Sequence, residues 1–311
     1  MKPCVLTVTL NPVIDKAVIV PDFKVGRDFR EESMSVSAGG KGINVSQVLS
    51  HIGVKNIATG FLGVIGGSYI KDELAKQKIE NAFIMIDGIV RTSLTIIDTK
   101  NSKLTRILER GPKVKLSDIN KFKGKYSALL NRVSVVVLSG RSIPGAYNSL
   151  YAQLIRMAKQ KKVLTVFDTS GEPFPRGLKE KPFMIKPNVD EAEELLGRRI
   201  RSKKEICVAL KEFKERGIEL AVITDGSRGA YLYDKDRLIQ ATPPKINRKN
   251  PVGCGDAFIA GFVGLYIKNR PLEECVSWAV ACGAANASSI DPGEVSKQTV
   301  LECFKQVKIN S

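Results

Sequence analysis

Residues 134–171 read SVVVLSGRSIPGAYNSLYAQLIRMAKQKKVLTVFDTSG. An apolar, β-branched run (SVVVLSG, 134–140) is followed by a segment of helical period from Ser149 to Lys161, and that by a second apolar run (VLTVFDTSG, 163–171). Short apolar runs bounded by glycine suit strands buried on both faces, and a helix between two of them is the crossover that lays parallel strands side by side. The same alternation extends outward. VLTVTL (5–10), IATGFLG (57–63), FMIKP (183–187) and LAVITDG (220–226) read as strands. Helical segments are expected after Gly42, with Val45, Val48, Leu49 and Ile52 on one stripe and a stop at Gly53, and over Ser202–Arg216, Gly255–Lys268 and Leu272–Ser288. The fold class predicted is α/β with a mainly parallel sheet, whose ligands gather at the carboxyl ends of the strands. Two stretches break the alternation: residues 12–36 and about 89–111 read as β-hairpins with polar turns, a small second sheet suited to act as a lid. No repeat, low-complexity tract or Pro/Gly/Ser-rich linker divides the chain, so 1–311 reads as one domain.

A chain of 311 residues with 43% hydrophobic content can bury a large core. No run approaches the length of a membrane span, and MKPCVLTVTLNP at the N-terminus resembles a strand, not a secretory signal, so the cytoplasm is the expected location. Cys4, Cys207, Cys254, Cys275, Cys282 and Cys303 are scattered without a C-x-x-C pair or companion histidines, which points to buried thiols and away from zinc or a disulfide framework. The single histidine, His51, falls at a helix end and suits a C-terminal turn better than a catalytic base. The net charge of +17 fits solvated basic faces or a field for anionic metabolites; no recognition helix, zinc finger or stacking platform accompanies it, so no nucleic-acid partner is expected.

Four stretches carry chemistry. In NPVGCGDAFIAGF (250–262), Gly253 and Gly255 bare the backbone N–H groups at the mouth of an apolar helix, and the helix dipole adds to them, which makes an anion hole. Asp256 at its lip can be a general base for a hydroxyl attacking a phosphoryl group, or a helix cap. SAGGKGIN (37–44) sets Gly39 and Gly40 beside Lys41 and Asn44 at another helix opening, suited to hydroxyls and phosphate or to a plain turn. In FMIKPNVDEAEEL (183–195), Lys186 ends a strand, and Asn188 and Glu191 straddle a helix start. They are oxygen ligands for a hydrated Mg²⁺, or first-turn acids and amides. In LAVITDGSRGAYLY (220–233), Thr224, Gly226 and Gly229 form a strand-turn-strand with accessible amides. Neither G-x-G-x-x-G nor a P-loop is present, which disfavours a Rossmann dehydrogenase.

In order along the chain, TLNPVID (9–15), AGGKGINV (38–45), GFLG (60–63), Arg91 of IVRTS, GP (111–112), VVLSG (136–140), FDTSG (167–171), IKPNVDE (185–191), TDGSRGA (224–230) and NPVGCGDAFIAGF resemble the PfkB carbohydrate kinases, in the branch of 1-phosphofructokinase and tagatose-6-phosphate kinase. The resemblance implies a ribokinase-like three-layer α/β/α sandwich with a mainly parallel central sheet and a β-sheet lid. It also implies ATP- and Mg²⁺-dependent phosphorylation of a sugar phosphate to a hexose bisphosphate. Asp256 would be the base and the Gly253–Cys254–Gly255 amides the anion hole. Asp15, Gly39, Gly40, Lys41, Asn44, Arg91, Arg106 and Ser139 would bind the sugar phosphate. Lys186, Asn188, Thr224, Gly226 and Gly229 would bind ATP, with Asn188 and Glu191 ordering Mg²⁺ through water. The two hairpins match the family's lid, which in many members also forms a homodimer interface; the partners implied are small molecules, with neither nucleic acid nor membrane.

Three departures stand out. SGRSIPG replaces the branch's SGSLP, so Arg141 looks inserted. Arg106 of LTRILERGP stands where an acid is usual, and Cys254 where alanine or serine is. The first two bear on which sugar is taken. The alternatives are a ribokinase-type enzyme for a neutral sugar or nucleoside, whose Arg91 and Arg106 would face no substrate phosphate, and a non-catalytic sugar or nucleotide binder, against which Asp256 argues.

Overall fold

In a computed structural model, which describes residues 4–289 and 291–310, the strand-rich alternation becomes two sheets. The large one is built on β1 (Val5–Thr9), flanked on one side by β4 (Asn56–Ile65), which pairs with β5 (Glu80–Asn81) and β6 (Ile84–Ile89). On its other side follow β9 (Val135–Ser139), β10 (Leu164–Asp168), β11 (Met184–Ile185) and β12 (Leu220–Thr224), all parallel. An antiparallel edge of β13 (Ala230–Asp234), β14 (Arg237–Thr242) and β15 (Lys308–Asn310) completes it. The lid sheet has the order β3–β2–β7–β8: β2 (Val13–Ile19) and β3 (Ser33–Gly39) form one hairpin, β7 (Arg91–Asp98) and β8 (Lys103–Leu108) the other. The two hairpins join through a parallel β2–β7 pairing, and the first extends three residues past the expected limit at residue 36, to Gly39.

Alternating residues of the central strands face opposite layers. Leu6, Val8, Val136, Leu138 and Phe167 pack with α3 (Leu116–Leu130), α4 (Leu150–Gln160), α5 (Pro173–Leu178), α6 (Val189–Leu196) and α7 (Lys203–Glu215). Val5, Val135, Val137 and Val166 pack with α1 (Lys41–His51), α8 (Cys254–Tyr266), α9 (Leu272–Ala287) and α10 (Lys297–Phe304). α2 (Gly67–Lys76) covers a third, smaller core beneath the lid with Ile43, Leu62 and Val90. The result is the α/β/α sandwich with a mainly parallel sheet, each fully buried aliphatic or aromatic side chain contributing roughly 1.5–3 kcal/mol relative to exposure. α8 lies against α9 closely enough that a Cβ on Gly261 would sit 2.7 Å from Cys282 Sγ. All six cysteines are free, four of them buried, and His51 closes α1 as expected. No helix among the described residues is long and apolar enough to cross a membrane.

Candidate active site

β1, β9 and β10 end side by side, and the cleft above those ends is closed by the N-termini of α1 and α8. α8 opens with Gly253 in the left-handed region (φ 81), and no side chain caps it. Asp256 is therefore not the cap. It lies in the first helical turn, 5% exposed, and its Oδ2 accepts from Asn44 Nδ2 of α1 at 2.8 Å. The first-turn N–H groups of α8 have no intrahelical acceptor by helix geometry, which makes this helix mouth suited to an anion. Burial pushes the Asp256 carboxyl up to about 7, with the nearby Asp168 charge in the same direction and Lys41, Asn44 and Lys186 against it.

α1 opens at Gly40 (φ 111), where a Cβ would strike Thr9 Cγ2 at 2.8 Å, so only glycine brings this helix mouth onto the end of β1. That approach carries Lys41 into the cleft. Its Nζ donates to Asp168 Oδ2 at 3.0 Å, and Asp168 raises its pKa more than any other neighbour does. Lys186, just past the end of β11, reaches the other oxygen, Nζ to Oδ1 3.6 Å, and Ser139 Oγ donates to Oδ2 at 3.3 Å. Burial alone would raise the Asp168 carboxyl; the two lysines outweigh it and hold the group below the ordinary carboxylate range. The same Lys186 ammonium would lie 3.1 Å from a Cβ on Gly255, so Gly255 lets it cover the α8 mouth. Asp168, within FDTSG, is not among the site residues expected from the sequence. An acid as the last residue of a buried strand, at the carboxyl edge where ligands gather, is the signal that could have found it.

On the lid side, Asp15 of β2 sits opposite Ser37 and Ser93, and a Cβ on Gly39 would lie 2.0 Å from its Oδ2. Gly39 thus makes room for the carboxylate, which burial raises against the pull of Ser93, Arg91 and Arg106. Arg91, the first residue of β7, donates through Nε to Asn11 O at 3.2 Å, and among the described residues no ion pair engages its guanidinium. Burial lowers its pKa, and the like charges of Arg106 and Arg141 add to that against Asp15 and Glu109. Among the described residues Arg106 and Arg141 have no carboxylate within ion-pair distance. Arg91 lines, with Gly111 and Lys113, a depression of about 430 Å³ below the lid.

Asn188 and Glu191 form a capping box. Asn188 Oδ1 accepts from Glu191 N at 2.8 Å, and Glu191 Oε2 accepts from Asn188 N at 3.0 Å. The structural reading of this pair is realised, and Glu191 still adds to the field on Lys41. The turn after β12 has fewer open amides than expected: Thr224 N donates to Pro187 O (3.0 Å), Asp225 N to Gly229 O (2.7 Å), Arg228 N to Asp225 O (2.9 Å) and Gly229 N to Gly226 O (3.2 Å), so four of its amides are already spent. Its glycines have structural reasons as well. Gly229 (φ 97) packs where a Cβ would meet Ala241 O at 1.9 Å. Thr224 touches the Asn188 segment through an isolated bridge, and among the described residues no hydrogen bond or ion pair joins Thr224, Gly226 or Gly229 to Asp256, Lys41 or Lys186.

A buried carboxylate at an uncapped, glycine-opened helix mouth, beside two ammoniums and above the ends of parallel strands, is the arrangement of a phosphotransferase on a ribokinase-like fold. The chain belongs to the PfkB family: the profile of "pfkB family carbohydrate kinase" matches residues 8–299. It is 34% identical over 308 residues to tagatose-6-phosphate kinase of Staphylococcus epidermidis, covering 98% of this chain and 99% of that protein. It is also 34% identical over 306 residues to 1-phosphofructokinase of Bacillus subtilis, with 98% and 99% covered. The crystal structure of phosphofructokinase-2 from Escherichia coli superposes with a TM-score of 0.89 at 24% identity, over 97% of this chain and 98% of that one, which shows the shared fold.

Proposed function

We propose that this chain transfers the γ-phosphoryl group of ATP to a free hydroxyl of a phosphorylated ketohexose, giving a hexose bisphosphate; tagatose 6-phosphate, fructose 1-phosphate and fructose 6-phosphate are the acceptors to compare. The observation that carries the phosphorylated acceptor is Arg91 with Arg106 and Arg141 each close enough to repel it, and none of the three in an ion pair among the described residues. Uncompensated guanidinium groups of this kind suit a phosphate dianion, which they bind in bidentate fashion. On this reading Asp15, Gly39, Gly40, Lys41, Asn44 and Ser139 take the sugar hydroxyls between that cluster and Asp256.

In the step itself, the Asp256 carboxylate takes the proton of the acceptor hydroxyl and the freed oxygen attacks the γ-phosphorus. The bond from that phosphorus to the β,γ-bridging oxygen breaks, and ADP leaves with the electron pair. The amides of Gly253, Cys254 and Gly255 and the Lys41 and Lys186 ammoniums stabilise the charge on the transferring group. Among the described residues no cluster of three or more His, Cys, Asp or Glu side chains could hold a metal alone. The donor set therefore fits Mg²⁺ held by ATP phosphates and water, with Glu191 and Asn188 meeting that water; bound there, it would neutralise β- and γ-phosphate charge. On this reading the turn of Thr224, Gly226 and Gly229, bridged to the Asn188 segment, meets ATP, with Gly226 contributing its amide. A second copy of the chain, covering the exposed Met34, Leu104, Ile107 and Leu108 of the lid, completes the reading as a homodimer.

The test is Mg·ATP-dependent ADP release with the three ketohexose phosphates, fructose, ribose and common nucleosides. Preference for one ketohexose phosphate is expected; activity confined to a neutral sugar or nucleoside overturns the phosphorylated acceptor. Arg91→Ala should raise the KM for that sugar phosphate by roughly 10- to 100-fold, the cost of about 1.5–3 kcal/mol for a charge-assisted hydrogen bond, with the KM for ATP unchanged. A change in melting temperature alone would remove Arg91 from substrate binding.

A further inference from the structure

Asn286 stands in the last turn of α9, 1% exposed, in a helix otherwise built there from alanine and glycine. A buried amide must find partners, and those it has converge on the cleft. Its Nδ2 donates to Val252 O at 2.8 Å and lies 3.6 Å from Cys254 Sγ, so it holds the residues on either side of Gly253. A Cβ on Gly253 would sit 3.3 Å from Asn286 Oδ1, close enough that the amide plane also limits how that glycine can turn. On its other side, Asn286 Oδ1 accepts from Gly293 N at 2.9 Å. Gly293 in turn backs onto α1, where a Cβ on it would lie 3.4 Å from the Cα of Asn44, the residue that donates to Asp256. One side chain is thus fastened both to the turn that presents the α8 amides and to the backbone beside the base's hydrogen-bond donor.

We infer that Asn286 is a positioning residue for phosphoryl transfer. It pins the Val252 carbonyl so that the Val252–Gly253 peptide cannot rotate and the first amides of α8 stay aimed at the transferring phosphoryl group. The need for a pin follows from Gly253, which has no side chain to restrict its own backbone. Stabilisation by fixed amides depends on their direction, and a misplacement of about 1 Å can cost on the order of 10²-fold in rate. This inference rests on the kinase reading above and adds a residue that contacts no reactant.

The experiment compares Asn286→Asp and Asn286→Ala in the full chain. Asp keeps the volume and the acceptor for Gly293 N but replaces the donor to Val252 O by an oxygen, whereas Ala removes both. Both variants should lose about 10²-fold in kcat, with the KM values for sugar phosphate and ATP and the pH midpoint of kcat/KM unchanged. Affinity for Mg·ADP with aluminium fluoride, which mimics the transferring group, should fall by the same factor while affinity for Mg·ADP alone is kept. Loss of melting temperature with kcat and aluminium fluoride binding retained, or an equal loss of both nucleotide affinities, overturns the inference. Failure of the wild type on every sugar phosphate would sink the substrate reading instead, and the aluminium fluoride comparison would still decide the role of Asn286.

Discussion

Asp256→Asn is expected to lower kcat by about 10²–10⁴-fold, the range general-base catalysis supplies, while ATP binding and the fold are kept, because the amide preserves the shape at the α8 mouth and removes only the proton acceptor. Equal turnover in the variant would take Asp256 out of the mechanism. The wild type adds a pH signature. With its carboxyl pushed up to about 7, Asp256 is protonated and unable to act as a base below that pH, so kcat/KM should rise with pH through about 7 and level off above it. The stability consequence runs the other way. A carboxyl whose folded-state pKa stands above its unfolded value of 3.8 contributes stability that is fully present below that value and is lost as pH rises through about 7. The asparagine variant lacks this loss. Its melting temperature should exceed that of the wild type at about pH 8.5, and the gap should narrow towards about pH 5. A gap that does not depend on pH would mean that Asp256 is not the group whose ionisation costs stability.

The central strands were legible because nothing competes with their pattern: β1, β9, β10 and β12 are continuous apolar runs, and burial on both faces is the only use for them. α3 was not. Its stripe of Ile119, Phe122, Tyr126 and Leu129 is diluted by Lys121, Lys123, Gly124 and Lys125, and its helical period is visible only once the buried face is known. β15 is three residues long and exposed, an edge made by pairing with β14 and by no pattern of its own. The site divides in the same way. Lys41 and Asp256 stand beside glycines at helix mouths, a local signal, and the structure puts both in one cleft. The turn at Thr224 was legible as a turn, but where the Thr224 amide points depends on Pro187, far back along the chain. Asp168 and Asn286 act through partners far along the chain, Lys41 and Lys186 for one, Val252 and Gly293 for the other, so no short stretch announces them.

Asp168→Asn should then be among the most damaging single changes in the protein, although its side chain lies beneath the lysines and not at the reacting bond. The carboxylate, 4% exposed, is shared by two ammoniums, one from α1 and one just beyond β11. Neutralising it leaves Lys186, whose side chain is 6% exposed, as a buried cation deprived of its counter-ion at 3.6 Å. Breaking a buried pair by removing one member costs about 3–5 kcal/mol. The Lys41 arm adds little to that, because the Lys41 side chain is 40% exposed and water screens it. The functional loss has a separate cause: both lysines are aimed by Asp168, so the variant should raise the KM for ATP and for the acceptor together, whereas Arg91→Ala moves the acceptor alone. Chemical denaturation and steady-state kinetics on the same preparation separate the two effects. Since Asp168 is held below its unfolded pKa, its contribution to stability is present above the unfolded value of 3.8 and is lost as pH falls through the folded one. The difference between wild type and variant should therefore be full at neutral pH and shrink only in strong acid. A variant with wild-type stability and both KM values unchanged would show that the two lysines are placed by their backbones, with the carboxylate a bystander.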